Sequence, residues 1–429
     1  MLIKPTTQNI GAKIIICGVG GGGNNAINSM IESNEIQGVQ FIAVNTDAQV
    51  LDQSLAETVI PIGKDLTKGL GGGGNPAVGK QAAEDSVDYL NEALAGSDMV
   101  FITAGMGGAT GTGASPVIAG ISKQLGALTV GVVTKPFTFE GSKKSEIASK
   151  GIEDLKAKVD ALIVIPNQRV LEIADRNVSF RQAMQKSDEV LLNAIKSISD
   201  IITITGEMNV DFADVKAIMK DAGTALMGMG ISGNKDTRAI DAAKMAINSP
   251  LLDYSIDGAK GVLISIRGSS TLSLTEISEA VEVVRQYVDE DANIKFGVHI
   301  DDDLGDAVMI NVLATGFEVD PIDAEINQRK VLQERAQNTN AQVSNRNFQE
   351  SISRPTPIQS QATTPSPNFK QKPATTQNED DFFDEIEKRP AWERMKQNKL
   401  SGQQPTQNDN NNNDDDYNVP QFVKRRGPN

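Results

Sequence analysis

Short apolar runs separated by glycine-rich or polar turns recur from residue 13 to residue 314. The runs at 13–17, 41–44, 58–62, 99–104, 128–133 and 161–165 have the length and β-branched content of buried strands. Between them, apolar residues three and four apart predict helices at 25–32, at 75–96, and from a glycine loop after 104 toward Gly126. Asn75 and Pro76 open the second helix as N-cap and first-turn residue, and Gly96 closes it. Alternation of this kind implies an α/β fold built on a mostly parallel, doubly wound, Rossmann-like sheet.

A longer helical pattern at 179–202 leaves that sheet. Beyond it, strands at 261–266, 293–299 and 307–314 and a helix at 274–287 read as a second, smaller α/β domain. The stretch LMGMG at 226–230 reads as core and turn. The expected organisation is a first domain at 1–178, a central helix with its following loop at 179–208, and the smaller domain at 209–317.

Composition changes after residue 317. Nearly all of the 38 glycines precede that point, and most of the 17 prolines follow it. Residues 337–416 are rich in Asn, Gln, Ser, Thr and Pro and bury too little apolar surface to offset their ordering entropy. The segment 318–416 is therefore expected to be a disordered linker. Ile322, Ile326, Val331 and Leu332 have the spacing to extend a helix off the folded body. Phe382, Phe383, Ile386 and Trp392 stand among charges, either as a docking motif or as an adhesive part of the linker.

A net charge of −15 argues against a nucleic-acid groove binder, whose affinity comes from Lys and Arg meeting phosphates. Cys17, the single cysteine, excludes an internal disulfide and fits a reducing compartment. His299, the single histidine, leaves no site built from several histidines. Both read as structural. No apolar run reaches the roughly 18–20 residues of a membrane span, and the opening residues lack a secretory h-region. The expectation is a cytoplasmic protein without a membrane span.

Three glycine loops stand between a strand and a helix: GVGGGGNN at 18–25, GLGGGGNP at 69–76 and GMGGATGTG at 105–113. Glycine lets a ligand approach the main chain, and the helix start behind it offers unpaired N–H groups and a positive dipole end. Together these make a phosphate cradle. In the first loop, Gly18-x-Gly20-x-x-Gly23 with Asp47 after the second strand matches the dinucleotide fingerprint, which alone points to an NAD-dependent oxidoreductase. The second loop contains Gly74-x-x-x-x-Gly79-Lys80. Gln81 stands there in place of the Mg²⁺-binding Ser/Thr, and Pro76 starts a helix inside the would-be loop, so a Walker-type ATPase is excluded.

The third loop, with GGATGTG at 107–113, resembles the tubulin-family signature that wraps the phosphates of GTP. Around it, in order, stand GVGGGGNN, NTDAQ (45–49), GLGGGGNP, TKPFTFEG (134–141) and NVDFAD (209–214). This ordered set resembles the tubulin/FtsZ family in its bacterial cell-division branch, from about residue 12 to Phe317 and again in the last dozen residues. The resemblance implies a GTPase that makes GDP and phosphate and polymerises head to tail into the cytokinetic ring. A scaffold of the same fold that binds nucleotide without hydrolysing it is the alternative.

By the same resemblance Gly21, Gly22, Gly23, Asn24 and Asn25 meet the nucleotide, and Gly72, Gly73, Ala109, Thr110 and Gly111 surround the phosphates. Glu140 bonds the ribose, Lys144 reaches the phosphates, and Asp188 accepts from the guanine edge. Mg²⁺ is held mainly by phosphates and water. Three positions depart from the family pattern: Ala109 replaces a glycine, Lys144 an arginine, and Met184 the phenylalanine that packs on guanine. If position 109 needs a positive φ, its methyl costs on the order of 1 kcal/mol.

Asp211 and Asp214 stand three apart at a helix start, so their carboxylates share a face. Asp211 has the position of an N-cap. The resemblance gives the pair a catalytic role in the next subunit's site, with Asn209 touching the nucleotide. It also makes 417–429 a peptide that docks membrane tethers and assembly regulators through Val419, Phe422, Val423, Lys424, Arg425 and Arg426, where otherwise a fraying tail would be read.

Overall fold

A computed structural model describes residues 11–173, 179–204 and 206–318, with positions 320 and 322. All of them belong to the first of two compact units, 1–350; the second, 351–429, lies outside the described residues, as do the apolar tail clusters named above apart from Ile322.

Ten strands form one sheet: β1 (Ile14–Val19), β2 (Val39–Asn45), β3 (Thr58–Pro61), β4 (Met99–Gly105), β5 (Leu128–Lys135), β6 (Ala161–Pro166), β7 (Gly223–Ser232), β8 (Gly261–Gly268), β9 (Asn293–Ile300) and β10 (Val308–Thr315). Their spatial order is β3-β2-β1-β4-β5-β6-β7-β10-β8-β9. The six strands β1–β6 are mutually parallel where they pair. Strand β7 belongs to both halves of the sheet: its start runs parallel to β6, and its remainder runs antiparallel to β10.

Successive residues of a strand face opposite sides. Ile14 and Ile16 accordingly enter one core, under the helices Gly20–Ser33 and Phe180–Thr203, while Ile15 and Cys17 enter another with Ile102 and Ile118. Burial on both faces is why the parallel strands read as unbroken apolar runs. A third core packs the helix Arg238–Ile247 against β8 and β10.

The central helix Phe180–Thr203 matches the 179–202 pattern. Ser179 and Gln182 cap it reciprocally, each side chain bonding the other's backbone N–H. It begins near the C-terminal end of β6, where the Ser187 hydroxyl donates to Asn167 Oδ1 at 2.7 Å. It ends at the opposite edge of the sheet, where Lys196 pairs with Glu35 and Thr203 packs beside Gly38, just before β2.

Two expectations are corrected. The helix read at 75–96 is two helices, Pro76–Glu84 and Val87–Leu94. Between them the buried Ser86 leaves helical geometry, and its hydroxyl accepts the N–H of Gly63 at 3.3 Å. The stretch 226–230 is not a turn but the middle of β7. Its glycines mislead because they serve helix packing: a Cβ on Gly228 would lie 1.9 Å from the carbonyl oxygen of Ala246, and one on Gly230 2.1 Å from that of Ala242.

Candidate functional site

Helices that begin with no side-chain cap and no acidic residue in the first turn include Ser142–Lys156 and two that start behind glycine loops: Gly20–Ser33 behind the first and Thr110–Gln124 behind the third. The helices starting at Pro76, Phe180, Phe212 and Leu274 are instead capped by Asn75, Ser179, Asp211 and Ser273. The two starts behind glycine loops touch, since a Cβ on Gly20 (φ +71°) would stand 2.7 Å from the backbone nitrogen of Gly111. Unpaired N–H groups and positive dipole ends thus meet at the C-terminal ends of the neighbouring strands β1 and β4. That combination binds anions.

The second loop closes on the third: a Cβ on Gly72 would meet the methyl of Ala109 at 2.6 Å. Ala109 itself has φ −75°, an ordinary right-handed conformation, so the strain anticipated there does not arise. The hydroxyls of Thr46 and Thr110 hydrogen-bond at 2.7 Å and are buried, and Thr112 Oγ1 accepts the N–H of Gly107 at 2.8 Å. Thr46 was not foreseen; its only signal was membership of NTDAQ. Lys80 pairs with Glu84 along its helix, as befits a helix residue and not a phosphate lysine.

Asn24 is buried and, with its amide oriented to donate, reaches the carbonyls of Gly18 at 2.7 Å and Gly20 at 3.2 Å. It builds the loop. Gly23 and Gly111 are also buried, whereas Gly21, Gly22, Asn25 and Gly73 are exposed. Asp47 caps the helix Ala48–Asp52 by accepting the N–H of Gln49 at 2.9 Å, and its backbone bridges to Leu70 of the second loop. One oxygen of Asp47 is thus committed to the helix start.

Lys144 packs against Gly107 of the third loop and pairs with Glu140, whose other oxygen accepts the N–H of Phe137 at 2.9 Å. Next to Glu140, the exposed ring of Phe139 meets Phe180 edge-on, with centroids 6.3 Å apart. Phe180 begins the central helix, whose following turns carry Met184 and Asp188. Burial, and secondarily the neighbouring Glu189, pushes the Asp188 carboxyl up to about 7. An unbroken chain of contacts therefore links all three loops through Lys144 and Glu140 to the helix that carries Asp188.

Asn209, Asp211 and Asp214 lie elsewhere. Asp211 caps the helix Phe212–Met219 by accepting the N–H of Asp214 at 2.8 Å, and Asn209 Oδ1 accepts the N–H of Gly206 at 2.7 Å. The chain beyond this helix reaches Asp221, whose N–H donates to Asp160 at 3.4 Å, immediately before β6 begins. Residues 206–221 thus lead to the N-terminal edge of the parallel strands, while the glycine loops stand at the C-terminal edge. Strands of six to eight residues hold those edges roughly 20–25 Å apart. Among the described residues, no group of three or more acidic, His or Cys side chains is arranged to hold a cation.

Residues 13–175 match the Tubulin/FtsZ family, GTPase domain, and residues 223–318 match the FtsZ family, C-terminal domain. Among solved structures, an empty FtsZ dimer from M. jannaschii is 47% identical with a TM-score of 0.69, covering 72% of this chain and 89% of that one. The GDP-bound monomer of CetZ1 from Haloferax volcanii is 20% identical with a TM-score of 0.65, covering 75% and 99%, and shares the fold.

Proposed function

This chain belongs to the tubulin/FtsZ family, and we propose on that premise that it binds GTP across its three glycine loops, hydrolyses it to GDP and phosphate, and polymerises head to tail into the ring at a bacterial division site. Gly21, Gly22 and Asn25, with Gly72, Gly73, Thr110 and the N–H groups of the two uncapped helices behind the first and third loops, cradle the phosphates. Lys144 leaves Glu140 for the phosphates, freeing Glu140 for the ribose. Asp188, ionised, accepts from the guanine N–H donors. Mg²⁺, arriving with the phosphates, supplies charge neutralisation.

The observation that carries this reading is the separation of the acids from the cradle. With Asp211 and Asp214 toward one edge of the sheet and the glycine loops at the other, one chain cannot apply its carboxylates to its own γ-phosphate. The site is completed by the next subunit's 206–214 loop, where the two carboxylates align and polarise the attacking water and Asn209 meets the nucleotide. Phosphoryl transfer needs little beyond such positioning and charge placement. The dimeric state of the M. jannaschii relative supports contact between copies.

Phosphate release per subunit should therefore rise above an assembly threshold in protein concentration. Asp214→Ala should bind GTP and assemble yet turn over roughly 10²–10³-fold more slowly. Mixing it with Gly21→Glu, which sets a carboxylate against the phosphates, should restore part of the activity. A demonstrably monomeric sample hydrolysing at full rate would refute the shared site, and an assembled sample releasing no phosphate would favour the scaffold reading.

The terminal peptide 417–429 extends the proposal: Val419, Phe422 and Val423 supply apolar anchors and Lys424, Arg425 and Arg426 charge for a membrane tether or assembly regulator. Deleting it should abolish tether binding and leave GTP turnover intact. Among the described residues no helix is long and apolar enough to cross a membrane; in this proposal the terminal peptide supplies the link to the division site in the cytoplasm.

A further inference from the structure

Strand β9 is laid against the loop that carries the proposed catalytic acids at three successive points. The N–H of Val298 donates to the carbonyl of Met208 at 3.0 Å, forming an isolated antiparallel bridge. Gly206 sits so close to the same strand that a Cβ on it would lie 2.4 Å from the carbonyl oxygen of Val298 and 3.0 Å from Nδ1 of His299. Further along β9, the ammonium of Lys295 pairs with Asp214 at 3.0 Å. The first two contacts register the loop backbone on the strand, and the third reaches a catalytic side chain.

Asp214 is thereby held from both ends. Its backbone N–H is bound by Asp211 and its carboxylate by Lys295. It also stands in the first turn of the helix Phe212–Met219, where the dipole favours negative charge. Exposed ion pairs contribute little to stability. This one is distinguished by what it holds: a side chain whose productive geometry has to be fixed before the neighbouring subunit arrives.

We propose that Lys295 is a positioning residue for hydrolysis, presenting the Asp214 carboxylate of one subunit to the nucleotide of the next. The inference rests on the shared-site reading above. Without Lys295 the carboxylate samples several rotamers, and the attacking water loses its alignment; GTP affinity, set by the opposite edge of the sheet, does not change.

The test compares the full chain with Lys295→Met and Lys295→Arg. In Lys295→Met, GTP turnover in the assembled state should fall about tenfold or more, with unchanged GTP affinity, assembly threshold and melting temperature. Lys295→Arg, which keeps the charge within reach, should restore most of the rate. Mixing Lys295→Met with Gly21→Glu should recover activity, because the second variant lends an intact loop to the first variant's pockets. Wild-type turnover in assembled Lys295→Met would overturn the proposal alone. Equal losses of affinity, stability and turnover would also overturn it, by showing a structural role. Absence of GTP hydrolysis in the assembled wild type would overturn the functional reading and this inference together.

Discussion

Arg267 on β8 is ion-paired with Asp200 in the last turns of the central helix, and both side chains are buried. The pair ties the helix to the strands that follow it. Burial pushes the Asp200 carboxyl up, against the opposing pull of Arg267, Lys196 and His299. Breaking such a pair strands a charge in the interior, whereas removing both charges is much less costly. Arg267→Met should therefore destabilise the fold by about 3–5 kcal/mol, and Asp200→Asn combined with Arg267→Met should recover most of it. Denaturant unfolding of the single and double variants checks this.

Asp188 should make guanine nucleotide binding depend on pH. Its folded carboxyl titrates at about 7, above the ordinary 3.8, because burial disfavours the charge. A raised value means that this group's contribution to apo stability is present below the ordinary value and lost as pH rises through about 7. Guanine N–H donors need the ionised form, so GDP affinity should rise as pH increases through that range and level off above it. Isothermal titration across pH 6–8 should show the rise in wild type and none in Asp188→Asn. That variant should also gain thermal stability, relative to wild type, as pH increases.

Gly72 and Ala109 share one small space between the second and third loops. Gly72→Ala should force two methyls together and cost roughly 1–3 kcal/mol, with weaker nucleotide binding. Ala109→Gly should be nearly neutral alone and should rescue Gly72→Ala. Additive effects in this double-mutant cycle would disprove the direct steric conflict.

Lys144 and Met184 are expected to limit affinity. Lys144→Arg adds a planar fork able to bind phosphate in a bidentate manner, and Met184→Phe adds ring area over the base. Each should tighten GTP binding, measured by equilibrium titration of a fluorescent guanine nucleotide.

What was legible in the sequence was local. The central helix announced itself through Ser179, Gln182 and a long apolar stripe; Asn75-Pro76 marked a helix start; the first and third glycine loops marked two helix starts without side-chain caps. Strand β7 was illegible because Gly228 and Gly230, normally turn signals, make room for a helix that comes later in the chain. The break at Ser86 depends on Gly63, more than twenty residues away. Thr46 with Thr110, Asp200 with Arg267, and Asp214 with Lys295 are partners only after folding, and no spacing rule connects them. The separation of the acids from the cradle could be anticipated from the helix between them; the grip of β9 on the loop could not.

Strand β7 is also where the molecule should yield under load. It grips β6 over 223–225 alone and β10 over 226–232. Load passing between β1–β6 and β7–β10 in a filament of the proposed kind would be shared between this strand, with its short seam and its long one, and the Asp200–Arg267 tie of the central helix to β8. The short seam beside β6 should part first, leaving the strands β7 to β10 joined as one piece that can swing and re-engage. Under tension the three-residue seam beside β6 would thus act as the joint of the sheet, and the seven-residue seam beside β10 as its fixed side.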